Sequence, residues 1–170
     1  MRKKQVIFTS TRLFGIQSSR LEHIDFFIQN DWKVYVVTKK DNNSIEGIRS
    51  KYEFIELNYP RNYNLKNWIV CIFNSFKIIN NIKPDLIISF NSLPIFITSI
   101  VNKHFKTNAI MVFTGSGKYI HWKGLNSKIV NFFLMKTLNK KADYIFQNPE
   151  DMNYFIQRNF TLKTNSHLIK

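Results

Sequence analysis

The chain has 170 residues, of which 44% are apolar, and a formal net charge of +14. This length fits a single domain with a hydrophobic core. The only cysteine, Cys71, excludes an intramolecular disulfide and a cysteine cluster for zinc, which favours a reducing compartment such as the cytoplasm. The longest apolar region, residues 86–101, is interrupted by Asn91 and Pro94 and is too short to cross a bilayer.

The positive charge is concentrated in the middle of the chain. Residues 57–142 contain eleven lysines and one arginine against one acid, Asp85. Such a block attracts phosphates, anionic lipid or nucleic acid over roughly 8–10 Å in physiological salt. A solvated lysine surface that only aids solubility is the alternative. We expect no nucleic-acid partner, because no recognised RNA or DNA motif accompanies the charge.

The first predicted elements form a βαβ unit. Residues 5–10 read as a buried strand and residues 10–15 as a loop at its carboxyl end. Ser19 and Glu22 have capping-box spacing, which predicts a helix that begins there and leads to a second strand at residues 33–38. Because the unit is so short, it indicates a right-handed crossover and a parallel sheet.

The rest of the chain continues to alternate strands and helices. Further strands are predicted at residues 54–57, 86–90, 109–113 and 143–147, the last of the chain, and helices at 65–82, 93–104, 125–140 and 149–158. Asn91 and Ser92 are predicted to cap the helix at 93–104. We therefore expect one α/β domain, doubly wound around a mostly parallel, Rossmann-like sheet.

A glycine-containing loop, residues 113–119, is the main candidate for a binding site. It follows a buried strand, and Gly115 and Gly117 would let the backbone turn sharply and approach a ligand without interference from a Cβ atom. In an open parallel sheet, ligands bind outside the carboxyl ends of the strands. A flexible strand-exit turn is an equally good interpretation of this loop alone.

Motifs of several other enzyme classes are missing from the sequence. Residues 10–20 contain only Gly15, so no dinucleotide fingerprint follows the first strand. The Gly115–Lys118 segment lacks the upstream glycine and the following hydroxyl of a Walker motif. No histidine pair has metal-ligand spacing, and there is no Gly-x-Ser-x-Gly elbow. We expect neither a metal nor a cofactor.

Five segments occur in an order shared with a known enzyme family. They are Val6–Ser10, Trp32–Thr38, Lys83–Ile88, Phe113–Gly117 and Ala142–Asp151. This order resembles the N-terminal Rossmann-like domain of GT-B glycosyltransferases, specifically the retaining family-four group. The last two segments are similar to parts of bacterial enzymes that move an amino sugar onto a polyprenyl-diphosphate carrier.

The resemblance implies a division of labour between two domains. Residues 1–170 would be the acceptor-side domain of a hexosyltransferase, whereas a second Rossmann-like domain would bind the nucleotide-sugar donor and carry most of the catalytic residues. The sequence has no room for that domain after Arg158, so we expect this chain alone to be inactive, with catalytic residues unknown. The alternative is a non-catalytic membrane-docking subunit that recruits a separate catalytic glycosyltransferase chain.

The resemblance also implies which loops face the substrate cleft. These are residues 10–15, 90–92, 114–121 and 148–151, at the carboxyl ends of strands. Backbone N–H groups of the glycine loop would meet a diphosphate, and Arg12 or Lys118 would supply positive charge. The predicted acceptor- and phosphate-binding residues are Arg12, Thr114, Gly115, Ser116, Gly117, Lys118 and His121.

A lipid-linked saccharide acceptor at an anionic membrane would explain the lysine-rich middle of the chain, since polybasic surface adds about 1 kcal/mol per well-placed lysine or arginine. The helix at 125–140 could lie on the membrane, and the apolar arc of Trp68–Phe76 is the other candidate. Core packing beneath a basic rim is the alternative for both. We expect a cytoplasmic protein, peripheral at the inner face of the membrane, whose membrane surface includes Lys123, Lys128, Lys136, Lys140 and Lys141.

Overall fold

The computed structural model describes residues 2–40, 51–60, 65–115, 136–138 and 141–169. Within these ranges, seven strands form one sheet: β1 (Gln5–Thr9), β2 (Lys33–Thr38), β3 (Glu53–Glu56), β4 (Leu86–Phe90), β5 (Asn108–Phe113), β6 (Asp143–Phe146) and β7 (Ser166–Leu168). The helices are α1 (Leu13–Ser19), α2 (Leu21–Gln29), α3 (Leu65–Ile82), α4 (Ser92–Phe105) and α5 (Pro149–Gln157), and a short 3-10 helix spans Lys163–Asn165. The predicted α/β architecture is confirmed.

All strand pairs are parallel, and the strands lie in the order β3-β2-β1-β4-β5-β6-β7. The chain moves outward from β1 to β2 and β3, then returns to the other side of β1 and moves outward again from β4 to β7. Right-handed crossovers in two opposite directions place helices on opposite faces of the sheet. Accordingly, α1 and α2 cover one face, whereas α3, α4 and α5 cover the other. This is the predicted doubly wound arrangement.

The central strands are buried on both faces, as their continuous apolar runs predict. On one face, Ile24 of α2 packs with Phe8 of β1, and on the other, Cys71 of α3 packs with Ile87 of β4. Beneath α5 the core is aromatic. The ring of Phe113 stacks on that of Phe146, with 5.3 Å between centroids, and Phe155 of α5 contacts both rings. With Phe160, these rings place four of the sixteen phenylalanines in this part of the core.

The first helical region differs from the prediction. The loop expected at residues 10–15 ends at Arg12, because α1 begins at Leu13 and buries Leu13, Ile16 and Gln17. The predicted capping box is also wrong. Ser19 is the last residue of α1, and its hydroxyl donates to the carbonyl of Gly15 at 2.9 Å instead of capping α2.

The remaining elements agree with the prediction to within about one residue at most boundaries, with two differences. The strand at residues 143–147 is not the last, because β7 pairs with β6 at the edge of the sheet. With three residues and mostly exposed side chains, β7 is too short to show an alternating pattern. The predicted helix at 125–140 lies mainly outside the described residues. Within that range the structure describes residues 136–138, and Lys136 and Thr137 are helical. No helix in the described part of the chain is long and apolar enough to cross a membrane.

Candidate functional site

The carboxyl ends of β1 and β4 meet where the direction of the strand order reverses. The register pairs Thr9 of β1 with Ser89 of β4, so the residues that follow these two strands leave the sheet side by side. The chain then turns to opposite faces, toward α1 after β1 and toward α4 after β4. This divergence opens the crevice in which ligands of doubly wound sheets bind. The candidate site is therefore built from the ends of β1, β4 and the neighbouring β5.

A series of side-chain hydrogen bonds connects these three strand ends. Ser10 Oγ donates to Asn91 Oδ1 at 2.9 Å, and Asn91 Nδ2 donates to Thr114 Oγ1 at 3.2 Å. Ser10 is buried, whereas Asn91 and Thr114 are partly exposed. Because the Asn91 amide accepts from one neighbour and donates to the other, its orientation is defined by both. We call this set of three residues the Asn91 bridge.

Asn91 also has an unusual backbone conformation. Its φ of 69° and ψ of 152° lie in a region that is essentially reserved for glycine and costs of order 1–3 kcal/mol for other residues. Asn91 occupies the predicted N-cap position of α4, but its side chain makes no capping hydrogen bond to the helix and forms the bridge instead. Strained residues of this kind cluster at binding and catalytic sites. The strained backbone of Asn91 therefore lies at the switch point between β1 and β4, where the strand order also predicts a binding site.

The glycine loop begins at the third member of the bridge. Gly115, which follows Thr114, has a φ of 137°, and a Cβ atom placed on it would meet no atom within 4 Å. The backbone conformation therefore favours glycine at this position, in agreement with the sharp turn that the sequence predicts. The other predicted residues of this loop, Ser116, Gly117, Lys118 and His121, lie outside the described residues.

The loop after β1 is fixed by contacts from β2. Thr38 Oγ1 donates to the Ser10 carbonyl at 2.7 Å, and the Leu13 amide donates to the Lys39 carbonyl at 3.0 Å. Between these two anchors lies Arg12, which is exposed at the N-terminus of α1 and makes no side-chain cap. The structure thus places Arg12 at the same edge of the sheet as the Asn91 bridge, with its side chain open to solvent.

A second arginine approaches the site from beneath. The guanidinium of Arg20, between α1 and α2, lies 4.9 Å from the ring centroid of Phe90, the residue before Asn91. Burial lowers the pKa of Arg20 from its ordinary value. Stacking on an aromatic ring is favourable for a guanidinium, whose charge is only weakly hydrated. Arg20 therefore supports the end of β4 on the face covered by α1 and α2.

A buried pair of hydroxyl groups lies on the face of the sheet that α3 covers, next to the candidate site. Thr9 Oγ1 and the Tyr59 hydroxyl are 2.8 Å apart, at the carboxyl end of β1. Burial raises the pKa of Tyr59 well above its ordinary value, so the phenol stays neutral. Tyr59 and Thr9 line a small internal space between the sheet and α3. This pair secures the last residue of β1, directly before Ser10.

Ser10 and Asn91 lie in the loops 10–15 and 90–92 that were predicted to face the cleft, but neither was named as a binding residue. Each directly follows a strand, and that signal is readable in the sequence. Their proximity depends on β1 and β4 being neighbours, which local sequence patterns do not reveal. Among the described residues, no group of three histidine, cysteine, aspartate or glutamate side chains is placed to hold a metal ion.

The predicted membrane lysines are only partly described. Lys136 and Lys141 are exposed, whereas Lys123, Lys128 and Lys140 lie outside the described residues. The Lys103 ammonium of α4 donates to the Lys136 carbonyl, which places Lys136 beside α4. Lys136 therefore lies on the side of the sheet that α4 covers.

Comparison with known proteins gives a family match and several similar structures. The model of a family described as glycosyl transferase 4-like matches residues 11–149, which is more than half of the chain. No curated protein sequence matches this chain.

Three solved structures illustrate the fold similarity. A glycosyltransferase from Rickettsia africae has a TM-score of 0.74 and 10% identity, with 100% of this chain and 43% of that one covered. Sucrose-phosphate synthase from Thermosynechococcus elongatus has a TM-score of 0.64 and 13% identity, and the match covers 98% of this chain and 48% of that one. HepE from Anabaena, solved with UDP and glucose, has a TM-score of 0.64 and 10% identity, and the match covers 99% of this chain and 44% of that one. The chain spans less than half the length of each of these proteins.

Proposed function

Because the chain belongs to the glycosyl transferase 4-like family, we propose that it is the acceptor-binding half of a glycosyltransferase. The enzyme would move a sugar from a nucleotide-sugar donor to a lipid-linked saccharide. The predicted fold, the N-terminal half of a GT-B architecture, is confirmed by the match over the whole chain to the Rickettsia africae enzyme. The nature of the acceptor and the role of each residue are parts of the proposal.

The Asn91 bridge is the observation that carries the proposal. It supplies one amide and two hydroxyl groups at the switch point of the sheet, where they are held by one another and by the Thr38–Ser10 contact. Amides and hydroxyls both donate and accept, as the hydroxyl groups of a saccharide do. Groups that are already oriented lose little further freedom on binding. We propose that Asn91 and Thr114 contact the acceptor sugar and that the buried Ser10 holds the Asn91 amide in position.

The charged part of the acceptor would lie beside this bridge. We propose that the backbone of the glycine loop, with Arg12 and Lys118, receives the diphosphate of the carrier. Thr114 and Gly115 connect the two parts, since Thr114 belongs to the Asn91 bridge and Gly115 begins the loop. Ser116, Gly117 and His121 complete the proposed phosphate side.

The donor is proposed to be a nucleotide sugar held by a second domain. HepE, solved with UDP and glucose, supports a donor of this class, and it is more than twice as long as the part that this chain matches. In the proposal, residues 1–170 bind the acceptor and supply one wall of the cleft, and most catalytic residues belong to the donor-binding domain. These residues alone are therefore proposed to be inactive.

We propose that the acceptor is lipid-linked because a strongly cationic surface suits an anionic membrane. Residues 57–142 carry a net charge of +11, with twelve basic residues against Asp85. The protein would lie at the cytoplasmic face of the membrane, with Lys123, Lys128, Lys136, Lys140 and Lys141 near the lipid headgroups. The acceptor would then reach the site without leaving the bilayer.

Binding of a soluble acceptor analogue tests the proposal directly. The probe is an amino-sugar diphosphate with a short prenyl chain, titrated into the full chain by calorimetry. We expect saturable binding that Asn91→Ala and Thr114→Val each weaken by about tenfold, the effect of losing one or two hydrogen bonds. Asn80→Ala, an exposed asparagine on α3, is the matched control and should bind as the wild type does.

The outcomes separate the proposal from its alternative. Absence of acceptor binding by the folded wild-type chain would overturn the acceptor-binding function. If that chain nevertheless bound vesicles and a separate glycosyltransferase chain, the result would favour a non-catalytic membrane-docking subunit. Unchanged affinity in both Asn91→Ala and Thr114→Val would remove the Asn91 bridge from the proposed site.

A further inference from the structure

We infer that the outer face of α3 is a docking surface for an anionic lipid bilayer. The face consists of Leu65, Ile69, Val70 and Phe73, flanked by Lys66 and Lys77, and we call it the α3 outer face. The inference deepens the membrane attachment of the proposed function, on which it rests, by naming a surface distinct from the lysines of residues 123–141.

The apolar residues of this face are well exposed. The exposed fractions are 72% for Leu65, 57% for Ile69, 49% for Val70 and 56% for Phe73. Leu65, Ile69 and Phe73 follow one another at intervals of four residues, so they line one side of the helix over about 12 Å. Single exposed apolar residues are common, whereas a contiguous row of them marks an interaction surface.

The exposed apolar residues are not part of the side of α3 that packs on the core. Cys71, Ser75, Ile79 and Ile82 are buried against the sheet, and the helix packs laterally on α4. Lateral contacts include the edge of Trp68 on Phe96 and the ring of Phe76 on Phe105. The apolar arc predicted for residues 68–76 therefore divides between two sides. Trp68 and Phe76 pack on α4, whereas Ile69, Val70 and Phe73 point outward.

The charges around the face favour anionic lipid as its partner. Residues 65–82 contain Lys66 and Lys77 and no acid. The Lys77 ammonium lies 4.4 Å from the Phe73 ring centroid, directly at the edge of the apolar row. The acids on either side of the helix in sequence are Glu56, the last residue of β3, and Asp85, which is beyond the far end of the helix and is paired with Arg2 at 2.9 Å. Lysines beside apolar side chains can extend to headgroups while their stems remain in the apolar layer.

The same charges disfavour a second copy of the chain. A symmetric contact through this face would bring Lys66 and Lys77 of both copies together, and residues 65–82 contain no acid that could pair with them. Like charges placed opposite one another in an interface are costly. Anionic headgroups, by contrast, would neutralise both lysines at once.

The position of the face connects it with the candidate site. Because α3 joins β3 to β4, its first residue lies at the carboxyl edge of the sheet and its last at the amino edge. The exposed row from Leu65 to Phe73 occupies the first half of the helix, so it lies toward the edge that holds the Asn91 bridge. A bilayer on this face would therefore bring lipid-anchored groups to the side of the molecule where the acceptor is proposed to bind.

Vesicle co-sedimentation with the full chain tests the inference. Phosphatidylcholine vesicles, with and without phosphatidylglycerol and free of any acceptor, are mixed with the wild type and with Ile69→Ser/Phe73→Ser. We expect the wild type to bind the anionic vesicles, and the double variant to bind them at least tenfold more weakly. Lys66→Gln/Lys77→Gln should weaken binding by about fivefold per lysine.

Matched controls keep the comparison specific. Phe26→Ser/Leu162→Ser removes two exposed apolar side chains from other parts of the molecule, and Lys40→Gln/Lys163→Gln removes two exposed lysines elsewhere. Both controls should bind vesicles as the wild type does, and far-UV circular dichroism checks that every variant is folded.

Each possible failure has its own meaning. If the wild type binds vesicles and Ile69→Ser/Phe73→Ser binds equally well, the α3 outer face is the wrong surface, although membrane attachment stands. If the folded wild type binds no anionic vesicles, both the surface and the membrane attachment are overturned, and the acceptor titration still decides the acceptor-binding function. If the double variant instead dissociates a dimer of the wild type, the face is an interface between copies.

Discussion

Asn91 joins a strained backbone to two side-chain hydrogen bonds at the switch point of the sheet. The strain arises from a φ of 69° with a ψ of 152°, and the hydrogen bonds reach Ser10 and Thr114. Glycine would adopt this conformation without strain, so the asparagine side chain is retained at a cost to stability. Its position in the candidate site offers a reason, since residues chosen for stability alone would not be strained there.

This strain predicts an inverted order of stability at position 91. Asn91→Gly and Asn91→Ala lose the same hydrogen bonds, but only the glycine variant relieves the backbone. We expect Asn91→Gly to be more stable than Asn91→Ala by about 1–3 kcal/mol in urea unfolding. Asn80, which is exposed on α3, is the control position. There we expect Asn80→Ala to be more stable than Asn80→Gly by about 1 kcal/mol. An alanine variant that is the more stable at both positions would contradict strain at Asn91.

Cys71 gives the protein a predicted loss of stability at alkaline pH. Burial in α3 raises the pKa of its thiol from 9.0 to about 11, while Ser75 opposes the change through a hydrogen bond. Between these values the unfolded chain releases the thiol proton and the folded chain keeps it. The contribution of Cys71 to the free energy of unfolding is therefore unchanged well below pH 9 and falls by up to about 1.4 kcal/mol per pH unit as the pH approaches 11.

Urea unfolding of the wild type and of Cys71→Ala across this range checks the prediction. The variant should be less stable at neutral pH, because it leaves a cavity, but its stability should decline less between pH 9 and 11. Burial also raises the pKa of Tyr59 from 10.0, so some decline above pH 10 should remain in both proteins. Parallel pH profiles of the two proteins over the whole range would contradict the assignment to Cys71.

At the scale of elements, predictability followed the length and burial of each segment. The strand Leu86–Phe90 and the helix Leu65–Ile82 were predicted at their observed boundaries, because each has an apolar pattern with a proline or polar segment at its ends. The strand Ser166–Leu168 was missed, since three mostly exposed residues show no periodicity. The helix Leu13–Ser19 was missed because Gly15 and the polar residues around it are typical of a loop.

The candidate site was less predictable than the fold for a physical reason. Strand order brings Ser10 and Asn91 together although they are 81 positions apart in the chain, and their contact depends on parallel pairing of β1 with β4. Local patterns report burial and turns but not which strands are neighbours. The general rule that ligands bind at the carboxyl edge led to the edge of the sheet at which the structure places Arg12, Thr114 and Gly115, and their role in binding stays a prediction.

At the scale of the whole molecule, the proposed surfaces share an orientation. The Asn91 bridge lies at the carboxyl edge of the sheet, and the first half of α3 extends from that edge with its apolar row exposed. The face covered by α3 and α4 also carries Lys103 and Lys136. An anionic membrane on this side would hold the domain with its proposed acceptor site close to the lipid surface. The remaining open side of the carboxyl edge would then be available to a donor-binding domain.

This arrangement predicts that residues 1–170 bind an acceptor without transferring a sugar to it. In the proposed enzyme, the donor phosphates are held and the leaving group is stabilised by the second domain, so these residues alone lack the groups that act in the transition state. The measurement is a transfer assay with radiolabelled nucleotide sugars, the prenyl-diphosphate acceptor and anionic vesicles. We expect no labelled product above a protein-free control, under conditions in which calorimetry detects acceptor binding. Product formed by the wild type and lost in Asn91→Ala would instead place a complete catalytic site within these 170 residues.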